Sequence, residues 1–95
     1  MVNKEGRSNM KMDEQFYRNM MLHESGAEIT VPLAASAVYA AKYGACEPAD
    51  KTRVEYKILL RMLREKYKGR NLSPSETITE MDIVKSDTRR VRPQQ

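Results

Sequence analysis

Arg53, Lys57, Arg61, Arg64 and Lys68 follow one another at intervals of three or four residues. On an α-helix that spacing gathers them on one side. With Val54 at zero and about 100° per residue they fall between roughly 260° and 340°. A row of cations has one plain chemistry, the neutralisation of a row of negative charges such as nucleic-acid phosphates. The row also carries a penalty. Arg53/Lys57, Lys57/Arg61 and Arg64/Lys68 are like charges one turn apart, each pair unfavourable by about 0.2–0.5 kcal/mol. Glu55 and Glu65 sit off the stripe. Acids elsewhere in the chain can offset it: Asp13, Glu14, Glu24 and Glu28 toward the N-terminus, Glu76, Glu80 and Asp82 toward the C-terminus. Otherwise an outside ligand does.

The basic excess is local. Residues 51–70 hold eight Lys or Arg against two Glu, a net +6, whereas the remainder holds nine against eleven, a net −2. A concentrated excess favours a binding face over a diffusely solvated surface. Arg89, Arg90 and Arg92 add a second basic cluster in the polar run "KSDTRRVRPQQ". A basic arm beside a basic helix is a frequent nucleic-acid arrangement. We therefore expect sequence-independent phosphate contacts to DNA or RNA from the five helix cations and the three tail arginines. An acidic protein is the other partner this charge suits. Tyr56 and Tyr67 fall nearest the apolar side of the helix and read as core, not as base-stacking groups.

Other chemistries lack their parts. One His, His23, and one Cys, Cys46, without clustered carboxylates do not make a zinc site. A Cys–His dyad would lack a third group to orient it. Gly26 between Glu24 and Glu28 argues against a helical carboxylate pair. The four glycines are isolated, so there is no phosphate-cradling loop. No enzyme and no cofactor are expected. A standard helix-turn-helix also fits poorly. Aligning Gly44 with the turn glycine puts Ala40 at a small-residue position, but puts Asp50 and Arg53 where apolar burial is required.

The elements that carry these residues read as helices. At 95 residues the chain is one domain at most, and the expected fold is all-α, a small bundle of about four helices. Residues 1–11 read as a flexible arm, 12–85 as the bundle and 86–95 as a disordered basic tail. Asp13 caps a first helix that carries Phe16, Met20 and Met21 and stops near Gly26. Thr30 and Pro32 open a second, ending at Gly44. It is rich in Ala34, Ala35, Ala37, Ala40 and Ala41 with Lys42 as its one charge, the pattern of a buried helix. The third spans about residues 49 to 68 and closes at Gly69. Its Leu59, Leu60, Leu63, Tyr56 and Tyr67 form one apolar arc and Val54, Ile58 and Met62 another, interrupted by Lys51 and Glu65, so packing on two sides is expected. A fourth starts at Ser73-Pro74 with Glu76 completing a capping box, worth about 1 kcal/mol. "AEITVPL" is the one stretch where a short strand could sit.

The alternative to a polyanion-binding module is a small protein-binding adaptor or inhibitor. It would act through an apolar Met-rich surface of Met10, Met12, Met20, Met21 and Phe16. A homodimer is a third outcome, because two apolar arcs on the third helix exceed what a small bundle buries easily. Short length, many methionines, helical pattern, a single Cys and a basic tail have the style of small phage and mobile-element proteins. No membrane segment is expected, since "ITVPLAASAVYAA" is too short to span a bilayer. A lone thiol and a polar N-terminus without an apolar run point to the cytoplasm of a cell or of an infected host.

Overall fold

Alanine dictates the centre of the molecule. Val31 and Ala34 through Ala41 are all buried in one helix, so neighbouring backbones approach it closely from several directions. The computed structural model describes residues 12–23 and 26–91, with side chains in that range up to residue 87. Over these residues it is a four-helix all-α bundle. The helices are α1 (Glu14–His23), α2 (Val31–Tyr43), α3 (Val54–Lys66) and α4 (Pro74–Val91), with a short 3-10 helix (Pro48–Thr52) before α3. Helix α2 is the hub: α1, α3 and α4 all pack on it, and α1 also packs on α4. Tyr17, Met21, Val38, Leu59, Leu63, Leu72, Met81 and Val84 fill the core around it. Among the described residues no helix is long and apolar enough to cross a membrane.

The helix starts follow their caps. The Asp13 carboxylate accepts from the Phe16 amide at 2.8 Å. Thr30 Oγ1 accepts from Leu33 at 3.4 Å. Ser73 and Glu76 form the reciprocal box, at 3.0 Å from the Glu76 amide to Ser73 Oγ and 2.9 Å from the Ser73 amide to Glu76 Oε1. Two backbone bridges pin the connections. Ile29 and Leu72 exchange both amide bonds at 2.8 Å, and Asp13 pairs with Ala45. The "AEITVPL" stretch thus contributes a single bridge residue, not a strand.

Two boundaries differ from expectation. Helix α3 begins at Val54, not near Ala49. Pro48 opens a tighter 3-10 turn, in which the Asp50 carboxylate accepts from the Glu47 amide at 2.8 Å. Arg53 then takes an extended conformation before the α-helix starts. Helix α4 keeps a helical backbone through Val91, past residue 85 where the bundle was expected to give way to a tail. The arm at 1–11 and residues 92–95 lie outside the described residues.

Candidate functional site

Among the described residues helix α3 packs along α2 on one side, with its end reaching Glu80 of α4. Tyr56, Leu59 and Leu63 are buried there, and the Tyr56 hydroxyl donates to the Pro32 carbonyl at 3.0 Å. The opposite side faces solvent and carries the basic ridge. Arg53, Lys57, Arg61, Arg64 and Lys68 are all exposed. Arg53 pairs with Asp50 at 3.1 Å. Among the described residues, no acid lies within ion-pair distance of Lys57, Arg61, Arg64 or Lys68.

The described acids expected to neutralise the ridge are engaged elsewhere. Glu14 binds Arg18 at 2.7 Å and Lys85 at 3.0 Å, and Asp82 binds Arg18 at 2.7 Å. Partial burial pushes the Glu14 carboxyl up, but its hydrogen bonds to Arg18 and Lys85 outweigh that and hold it below the ordinary value. Glu76 binds Arg70 at 2.9 Å, and this bond, with the Ser73 amide, holds its carboxyl down at about 2. Glu80 is buried and binds Lys66 at 2.6 Å. Glu28 accepts from Asn71 at 2.9 Å, and Asp13 caps α1. Glu24 lies outside the described residues. The expectation that the first and fourth helices offset the ridge is therefore not met by direct pairing. Glu14, Asp82, Glu76 and Glu80 meet Arg18, Lys85, Arg70 and Lys66 instead.

Lys68 lies beyond the end of α3, where the backbone leaves the helix. The Gly69 amide donates to the Arg64 carbonyl at 2.8 Å and the Lys68 amide to the Glu65 carbonyl at 3.3 Å. This is the helix-ending motif that places a left-handed residue just beyond the cap. Here that residue is Lys68, with φ of 57°, followed by Gly69 with φ of 78°. A lysine at a left-handed position is a local strain, and such strain concentrates at functional positions.

The second apolar arc is a correction. Val54, Ile58 and Met62 were expected to be buried, yet they are 67%, 59% and 37% exposed. Among the described residues no second helix covers them. Val54 and Ile58 border Lys57 and Arg61 around a shallow groove of about 200 Å³. This stripe is the part of the site that the charge pattern missed. Its signal was already in the helix: two apolar arcs on an element with room for one neighbour.

The remaining candidates are placed as follows. Arg89 and Arg90 belong to the helical backbone of α4, but their side chains, and all of Arg92, lie outside the described residues. Met21 is buried and Phe16 and Met20 are half-buried against the core, so most of the supposed Met-rich surface is interior packing. Met12 is exposed, and Met10 lies outside the described residues. Cys46 is buried and burial pushes its thiol up, the opposite of an activated thiolate. His23 is exposed at the end of α1. Among the described residues no three His, Cys, Asp or Glu gather where a metal ion could be held. Comparison with protein-family models, with curated proteins and with solved structures returns no match.

Proposed function

We propose that this protein is a non-catalytic helical module that binds a polyanion, nucleic acid foremost, along the outer side of α3. One observation carries the proposal. Four ridge cations, Lys57, Arg61, Arg64 and Lys68, stand exposed on one stretch without an acidic partner among the described residues, as Lys42 and Lys51 do elsewhere, whereas Arg18, Lys66, Arg70 and Lys85 each have at least one. An ion-pair network built for stability alone would have spread its acids more evenly. The ridge instead presents a single-sign row whose mutual repulsion a phosphate backbone relieves. Arg89, Arg90 and Arg92 add long-range attraction. The contacts are to phosphates, so binding is insensitive to base sequence.

Fluorescence anisotropy of a labelled random-sequence duplex tests this. Four neutralised phosphates predict a loss of affinity of about 100-fold between roughly 50 and 200 mM salt. Replacing Arg61 and Arg64 with Glu should abolish binding and leave the helical circular-dichroism signal unchanged. Absence of binding at the lower salt retires the proposal.

A further inference from the structure

Phosphate contacts leave Val54, Ile58 and Met62 without a purpose. The stripe repeats every four residues along α3, and Lys57 and Arg61 form one of its edges. An apolar row on a helix exposed to this degree marks a surface that another element covers.

The occupants available within the protein itself do not match it. Residues 1–11 carry Lys4, Arg7 and Lys11 against Glu5, and the C-terminal run carries Arg89, Arg90 and Arg92. Both ends have the ridge's own sign. A second copy fares no better. Antiparallel two-fold packing of α3 sets like flank against like flank, so Lys57 and Arg61 would face their own equivalents. Parallel packing sets them against Glu55 and Lys66, a flank without net charge. The groove beside Val54 and Ile58, at about 200 Å³, is smaller than the roughly 300 Å³ and upward of small-molecule sites. It suits one apolar side chain.

We infer that the Val54–Ile58–Met62 stripe, with Lys57 and Arg61 at its edge, docks an acidic amphipathic helix of a partner protein. The partner's apolar residues, spaced by three or four, lie along the stripe, and its Glu or Asp flank meets Lys57 and Arg61. The inference rests on the exposed stripe and not on nucleic-acid binding. It adds a consequence to that proposal: the two ligands share Lys57 and Arg61, so they exclude one another.

The probe is a labelled synthetic helix of about five turns with leucines at helical spacing and glutamates beside them. Its control carries lysines in place of the glutamates. The full chain should bind the acidic peptide and not the control. Val54→Ser with Ile58→Ser, both exposed positions, should weaken peptide binding by about tenfold or more. The same variant should change duplex affinity by less than about twofold, since phosphate contacts do not use the stripe. Arg61→Glu with Arg64→Glu should lose both ligands. Peptide binding without duplex binding sinks the nucleic-acid proposal alone; duplex binding without peptide binding sinks this inference alone. The inference also falls if the serine variant binds peptide as tightly as the parent. It falls if sedimentation shows a dimer that the serine variant disperses, or if phosphatidylserine vesicles are bound with the same serine sensitivity while the peptide is not.

Discussion

Tyr67 donates a hydrogen bond to the carboxylate of Glu80 across 2.6 Å. The carboxylate is 2% exposed and its other close partner, the Lys66 ammonium, also lies at 2.6 Å. Burial, and then this bond, push the Tyr67 phenol up to about 12, so it stays a donor at ordinary pH. The pair ties the end of α3 to α4.

A buried carboxylate that loses a donor is destabilising. Tyr67→Phe should cost about 1.5–3 kcal/mol in urea unfolding, the range for a hydrogen bond to a charged group. Lys66→Met should cost less, about 1 kcal/mol, because the half-exposed ammonium is screened by solvent. A larger loss for Lys66 than for Tyr67 would make the ion pair, not the hydrogen bond, the tie.

Each ridge cation should count separately in salt titrations. Replacing Lys57, Arg61 or Arg64 singly with Gln should lower the slope of log affinity against log salt by about 1. The loss should be equal on unrelated duplex sequences. Sequence-dependent losses would mean that a side chain reads bases.

Lys68→Gly should stabilise the fold and weaken the ligand at once. Glycine takes the left-handed conformation of residue 68 without the Cβ conflict, a gain of about 0.5–1 kcal/mol visible in the urea midpoint. It also removes a ridge charge, so the salt slope falls by about 1. Stabilisation with unchanged duplex binding would remove Lys68 from the site.

The Arg70–Glu76–Ser73 cluster gives an acid dependence. The Glu76 pKa is about 2 in the folded chain, below its unfolded value, because it accepts from Arg70 and from the Ser73 amide. Its contribution is therefore full above the ordinary carboxylate range and drains away as the pH falls toward about 2. Glu76→Gln should flatten the fall in melting temperature across that window. Parallel curves for parent and variant would show that the box does not stabilise the native state.

Local signals carried most of the fold. Asp13, Thr30 and the Ser73–Glu76 box act within three residues, so their types and spacing suffice to place them. The alanines of α2 announce burial because nothing on that helix resists it. What the sequence hid depends on the number of neighbours. A helical wheel says that Val54, Ile58 and Met62 are apolar; it does not say that α3 meets one flank of α2 and no described element opposite. The ridge residues were legible as a stripe, but the choice of Glu14, Glu76, Glu80 and Asp82 for Arg18, Lys85, Arg70 and Lys66 is settled by which helices touch. Lys68 was hidden for a different reason. Gly69 looked like the stop, and the left-handed turn begins one residue earlier.

Among the described residues helix α3 packs along its length on α2 and reaches α4 only at its end, while α2 meets three helices. Elements held on one side open more readily than hubs, so amide protons of α3 should exchange with solvent well before those of α2. The helix that carries the basic ridge is then also held mainly from one side. A ligand spanning the ridge would act as a splint, slowing exchange in α3 while leaving the alanine hub, already protected, as it was.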